Sequence, residues 1–172
     1  MVYMLLGTGF EETEAIAPLD LLRRAGIPVL TVGINGKTVY GGHNIGIEAD
    51  ITVGEMDLTA MEMIVLPGGL GGVASIRASK EAMDALRFAW NNGKYIAAIC
   101  AAPSIFGHRG MLDGRNACSY PSFEEQLAGA TVSRNPVEVS EHVITSRGMG
   151  TAIDFALCIV SCISGQQCAD EI

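Results

Sequence analysis

Residues 95–107 read YIAAICAAPSIFG. An apolar run of strand length stops at Cys100, and a second apolar run resumes after Pro103. Proline suits the first turn of a helix, where its missing N–H has no partner to lose. The stretch therefore predicts a buried strand, a sharp turn at Cys100 and a helix starting at Pro103. Ala98 and Ala102 put small residues two before and two after the turn, as a nucleophile elbow requires. A helix N-terminus at that point favours thiolate and lowers the thiol pKa. A small cysteine filling the core is equally compatible with the local sequence.

Working outward, strand and helix patterns alternate from end to end. VYMLL (2–6) is a short apolar strand. EETEAIAPLDLLRRAG (11–26) reads as a helix: Ile16, Leu19 and Leu22 fall at helical spacing, acids lead, arginines trail and Gly26 stops it. IPVLTVGI (27–34) is the second strand, and residues 35–53 predict a hairpin or extra strands. MIVLPGGLGG (63–72) is a strand running into a glycine-rich turn. SKEAMDALRFAWNNGK (79–94) is an amphipathic helix with Ala82, Leu86 and Trp90 in register. NACSY (116–120) and the stretch 131–145 supply short strands, and GTAIDFALCIVSCISG (150–165) is a closing helix. The alternation predicts one α/β domain over 1–172, with a mostly parallel sheet and helices on both faces. Such sheets bind ligands beyond the carboxyl ends of their strands.

Composition narrows the function classes. Apolar residues make up 49% of the chain, charged residues 17%, and the net charge is −8. An acidic surface repels phosphate backbones and anionic lipid, so neither nucleic acid nor membrane is an expected partner. No apolar run reaches the roughly 20 residues that span a bilayer. The first residues lack a basic leader, so the chain is read as cytoplasmic. Five cysteines, an odd number without CxxC spacing, argue against a disulfide framework. His43, His108 and His142 show no ligand spacing, and no metal is expected. Cys158 and Cys162 share a helix face and read as packing residues, since two thiols do not make a zinc site.

The other strand ends also carry candidate chemistry. In GTGFEETE (7–14) the third position of a dinucleotide fingerprint holds Glu12, and acids crowd the place of a pyrophosphate. Glu11 and Glu12 suit the helix dipole, and Glu14 is the acid with a site role if it points inward. PGGLGGVA (67–74) matches a G-x-G-x-x-A pattern, yet the next strand ends in Cys100 rather than a ribose-binding acid. A turn exposing backbone N–H groups is the better reading. Arg147, in ITSRGMGTAIDF (144–155), either faces an anionic group or pairs with an acid.

Together, EETEAIAPLDLLRRAG, VLPGG (65–69), IAAICAAP (96–103) and TSRGMGT (145–151) resemble, in order, segments of the ThiJ/PfpI family. The resemblance is to the branch of the Parkinson-disease protein deglycase and its bacterial relatives. It implies a flavodoxin-like three-layer sandwich, a homodimer and no cofactor. It implies that Cys100 is a reactive, oxidation-prone cysteine and that Glu14 contacts its sulfur as a protonated carboxyl. It makes Gly69 and Ala101 backbone donors of the oxyanion type, and Gly68, Tyr120 and Arg147 candidates to line the site. Two departures stand out. Ala101 replaces the histidine that follows the nucleophile in protease-like and amidotransferase-like relatives, which leaves the thiol without its adjacent base. Tyr120 stands where branch members often carry histidine, and tyrosine is a poor base at neutral pH.

The resemblance implies a cysteine-dependent deglycase or glyoxalase acting on methylglyoxal or its early adducts, so a small dicarbonyl or glycated substrate. The alternative is a non-catalytic redox sensor or holdase chaperone using the same cysteine. A thiazole-phosphate biosynthesis role, as some relatives are labelled, has no specific support in these residues. A flavin or nucleotide module follows from fold analogy alone.

Overall fold

All five residues from Val2 to Leu6 are buried, which requires a strand packed on both faces. In the computed structural model, which describes all 172 residues, this strand lies at the centre of a seven-stranded sheet. The chain runs β1 (Val2–Leu6), α1 (Glu12–Arg24) and β2 (Val29–Gly33). An antiparallel hairpin, β3 (Thr38–Tyr40) and β4 (Gly46–Glu48), precedes the edge strand β5 (Ile51–Thr52). Next come β6 (Met63–Leu66), α2 (Leu70–Ala78), α3 (Lys80–Asn91), β7 (Tyr95–Ile99) and α4 (Pro103–Gly107). A small parallel pair, β8 (Asn116–Ala117) and β9 (Thr131–Val132), leads to β10 (Val137–Ser140) and β11 (Val143–Ser146). Helices α5 (Ala152–Ser164) and α6 (Gln166–Asp170) close the chain.

The sheet order is β10-β11-β7-β6-β1-β2-β5, parallel except for the edge strand β10. Side chains alternate between two cores, as the period of two along a strand demands. Tyr3, Leu5, Leu66 and Ala98 join one cluster with Val73, Leu86 and Phe106 of α2, α3 and α4. Val2, Met4, Leu6 and Ala97 join the other with Leu19, Leu22, Phe155 and Ile159 of α1 and α5. The result is the expected flavodoxin-like three-layer sandwich. No helix is long and apolar enough to cross a membrane.

Some local readings change. The glycine-rich segment does not stay a turn: Leu70 starts the helix α2, and Ser79 then caps α3 by accepting the Ala82 N–H at 3.1 Å. Trp90 is half-buried, not core; it lies against His142, with the Arg115 guanidinium over its ring. Pro18 sits inside α1, yet the helix continues to Arg24. An interior proline costs a helix about 3 kcal/mol. Burial of Pro18 with Leu19 and Leu22 in the packed layer offsets that cost.

Topology places the site. From β1 the chain turns outward to β2, then crosses back to β6 on the other side of β1. The crevice of a doubly wound sheet lies at such a reversal, outside the carboxyl ends of the strands. The segments after β1, β6 and β7, which carry Glu14, Gly68–Gly69 and Cys100, therefore meet there.

Candidate active site

Cys100 follows the last residue of β7 and takes φ = +65°. A non-glycine residue in this region is strained by about 1–3 kcal/mol and needs support from both sides. The support is backbone: Cys100 N–H donates to Ser146 O at 3.0 Å, and Cys100 O accepts from Tyr120 N–H at 2.9 Å. Ala98 and Ala102 are fully buried beneath the turn. Pro103 occupies the first turn of α4. The elbow read from residues 95–107 is present.

Glu14, in the first turn of α1, is 1% exposed. Its Oε2 accepts the Gly68 N–H at 3.0 Å, and the carboxyl lies beside the Cys100 side chain. A Cβ on Gly68 would overlap Glu14 Oε2 and meet Cys100 Cβ at 2.6 Å, so only glycine admits this approach. Gly69 takes φ = +84°, in the left-handed region that favours glycine. The N–H groups of Ala101 and Gly69 lie near the Cys100 sulfur and favour its thiolate.

Burial pushes the Glu14 carboxyl up to about 7, and the nearby Glu11 charge adds to the rise, while hydrogen bonds from Cys100 and Gly68 oppose it. Burial also pushes the Cys100 thiol up to about 12, followed by repulsion from Glu14, while the Ala101 and Gly69 amides oppose the rise. This reverses the expectation of a lowered thiol pKa. Helix α4 has only five residues, and its dipole is outweighed by burial and an adjacent carboxylate. The two acids form one coupled pair. When Glu14 holds the proton, repulsion vanishes and the carboxyl donates to sulfur, which favours thiolate.

A cavity of about 480 Å³ opens onto this pair. Leu70, Phe123 and Met149 form its apolar wall. Glu11, Glu14, Tyr120 and Ser122 supply its polar side chains; no histidine or cation lines it.

The DJ-1/PfpI family description matches residues 1–162. The chain belongs to the DJ-1/PfpI family. It is 38% identical to protein dj-1beta of Drosophila melanogaster over 172 residues, covering 98% of this chain and 92% of the relative. It is 30% identical to the glutathione-independent glyoxalase DJR-1.2 of Caenorhabditis elegans over 158 residues, covering 91% and 84%. A structure of Toxoplasma gondii DJ-1, oxidized, superposes with a TM-score of 0.94 at 30% identity, covering 99% of this chain and 94% of that one.

Within this DJ-1/PfpI fold, Cys100, Glu14, Gly68, Gly69, Ala101 and Tyr120 come together. Tyr120 stands half exposed at the cavity. Arg147 lies at its margin, lining an adjoining hollow with Tyr120 and Met149. Its guanidinium lies 3.6 Å from Glu124 and donates to Arg134 O at 3.4 Å, outside the cavity. Of its two readings, the structural pairing is the one realised.

For Glu11 the sequence predicts only a role at the helix dipole. It does cap α1, accepting the Thr13 N–H at 3.4 Å, but it also lines the cavity. Its nearness to Glu14 in sequence was the available signal. Glu12 is buried and accepts both the backbone N–H (2.7 Å) and Nδ1 (2.9 Å) of His43. Glu11, Glu12 and His43 place ligand-type atoms within 4.8 Å of one another. The close contacts are those of an ion pair that ties the β3–β4 hairpin to α1, and Glu12 raises the His43 pKa. The spacing of 31 residues hid this pair from a sequence reading.

Proposed function

We propose that this chain is a cysteine-dependent glyoxalase or deglycase acting on methylglyoxal or its early adducts. The observation that carries the reading is Cys100 at an elbow, open to a cavity and beside the buried Glu14 carboxyl. The relative named a glutathione-independent glyoxalase supports the substrate class.

In the reaction we infer, the Cys100 thiolate adds to the aldehyde carbon and the carbonyl oxygen takes up a proton from Glu14. This gives a hemithioacetal, with Gly69 and Ala101 as the nearest amide donors to the developing oxyanion. Glu14 then removes the proton from the former aldehyde carbon and returns one at the neighbouring carbon, while the hydroxyl proton passes to the former ketone oxygen, which leaves a thioester. Water hydrolyses the thioester to lactate and frees the thiol. Cys-His peptidase or amidotransferase chemistry lacks its base here, since no histidine lines the cavity. Lactate release from methylglyoxal is the test. Production equal to that of Cys100→Ser protein sinks the reading.

A second reading uses the same cysteine as a redox sensor or holdase switch. Amides already near the sulfur would hold the oxygens of a sulfinate, and one neighbour in structure is described as oxidized. Mild peroxide should then add about 32 Da, two oxygens, at Cys100 alone. Uniform oxidation of all five thiols argues against it.

We read the 172 residues as one cytoplasmic domain, its five free cysteines suited to a reducing compartment. We also propose a homodimer. Ile16, Ala17, Ile45 and Ile47 line an apolar groove between α1 and the hairpin, with Ile45 54% exposed. Sedimentation should give a dimer for the native chain and a monomer for Ile45→Lys.

A further inference from the structure

A second hollow, of about 270 Å³, lies where α2, α3 and α4 meet. Arg77 of α2, Met83 of α3 and Ile105 of α4 line it, with His108 and Arg109 just past the end of α4. It shares no residue with the Cys100 cavity, and no acid lines it.

The charge here runs against the rest of the chain. Residues 77–109 hold five of the eleven Lys and Arg residues but only two of the nineteen Asp and Glu residues. Both acids, Glu81 and Asp84, lie on α3 outside the lining. Asp84 is already paired with Lys80, and with Arg87 at 3.4 Å. The Lys80 hydrogen bond lowers its carboxyl most, and the Arg109 charge adds to this from beyond ion-pair distance. Neither Arg77 nor Arg109 joins an ion pair.

Helix ends explain the sign of these residues. Arg77 is in the last turn of α2, and His108 and Arg109 follow α4, where cations meet the helix dipole favourably. The dipole leaves their donors unused. Arg77 gives Nη2 to Ser104 Oγ at 2.7 Å. Ser104 is fully buried and donates in turn to Ala101 O at 2.6 Å, so the guanidinium is anchored with its other N–H groups free. No hydrogen bond of the fold uses the Arg109 guanidinium or the His108 ring. Met83 and Ile105, both buried, make an apolar floor between these donors. Planar guanidinium forks match the paired oxygens of a phosphate, and such hydrogen bonds are charge-assisted. The volume falls just below the roughly 300–1,000 Å³ of drug-sized sites, which fits a small ligand.

We propose that Arg77, His108 and Arg109 form a binding site for a phosphate dianion, either free or as the head of a small phosphate monoester. The site is independent of the glyoxalase reading, because it uses none of the residues around Cys100.

Calorimetric titration of the native chain with inorganic phosphate and with glycerol 3-phosphate, at constant ionic strength, tests this. One equivalent should bind, and amide NMR shifts should move at the end of α2 and around residues 104–109, not around Cys100. Tighter binding of glycerol 3-phosphate assigns the site to a monoester, and equal binding assigns it to the free ion. Arg77→Gln and Arg109→Gln should each weaken binding about ten-fold or more, the worth of a charge-assisted hydrogen bond, and together should abolish it. Arg109 makes no internal hydrogen bond, so its variant keeps the fold even if loss of the Arg77–Ser104 contact does not. Arg24→Gln removes the same charge from α1, on the other face of the sheet, and should leave binding unchanged. The proposal is overturned if neither phosphate compound saturates the chain or if the shifts cluster at Cys100. It is equally overturned if Arg109→Gln binds as tightly as native, or if Arg24→Gln weakens binding as much as Arg109→Gln does.

Discussion

Cys100 and Cys118 make an instructive pair. Both are cysteines just past short strands, and burial raises both thiols, to about 12 and about 11. Their surroundings have opposite polarity. Cys118 is fully buried; its thiol donates to Thr145 O at 3.3 Å, and its N–H donates to Thr145 Oγ1 at 3.0 Å. A thiol aimed at a carbonyl keeps its proton. The Cys100 sulfur instead has the Ala101 and Gly69 amides near it, adjoins a carboxyl that can hold the shared proton, and opens to a cavity. The two thiols thus differ in access and in the groups around sulfur, not in burial.

The largest effect expected from this contrast is on turnover. Cys100→Ser should reduce lactate formation to the uncatalysed background, while Cys118→Ser should leave it within about two-fold. Loss of activity from both substitutions would erase the distinction.

Next comes the carboxyl that separates the two sites. Glu14→Gln should lower kcat/KM by about 10²–10⁴-fold, the worth of a positioned proton carrier. In the native chain the alkylation rate of Cys100 should rise through pH 7 or so, as the pair loses its first proton. That step should be absent in Glu14→Gln, and Cys118 should resist alkylation until the chain unfolds. An unchanged alkylation profile in the variant would remove Glu14 from the site.

The same substitution should stabilise the fold. Folding raises the Glu14 pKa from 4.5 to about 7, so the fold favours the protonated form. The stability this confers is complete below pH 4.5 and is lost as pH rises through 7. Glutamine mimics the protonated form at every pH. A shift of this size is worth on the order of 3 kcal/mol, or several degrees in Tm. Thermal melts of Glu14→Gln should therefore run above native at alkaline pH and converge with it in acid.

The smallest effect concerns charge at the cavity mouth. Glu11 and Glu14 are its only charged groups, so an anionic aldehyde such as glyoxylate should react more slowly than neutral methylglyoxal. Glu11→Gln should narrow that gap by about five-fold, the equivalent of roughly 1 kcal/mol for a charge pair near water. A gap that stays the same in the variant would exclude Glu11 from substrate selection.

Much of the fold was legible because buried parallel strands are short continuous apolar runs bounded by turn residues. VYMLL, MIVLP and YIAAI announced themselves in this way, and so did the elbow, since Ala98, Ala102 and Pro103 answer local steric rules. The helix at Leu70 was missed because its first residues are glycines, which helix propensity disfavours and which the close approach of Gly71 and Gly72 to Gly9 and Phe10 requires. Arg147 was ambiguous because an exposed arginine has many acids to choose from, and only folding selected Glu124.

The sequence by itself determined the layers and the turn at Cys100, because each depends on neighbours within a few residues, whereas the need for glycine at 68 and 69 comes from distant neighbours such as Glu14 and Gly9. The tertiary structure alone decided the chemistry of the sulfur. Glu14 lies 86 positions before Cys100, and the donors from Gly69 arrive on another strand end. Desolvation, a shared proton and a cavity wall are properties of groups brought together in space. That is why the local rule of a helix terminus lowering a thiol pKa pointed in the direction opposite to the one the folded site imposes.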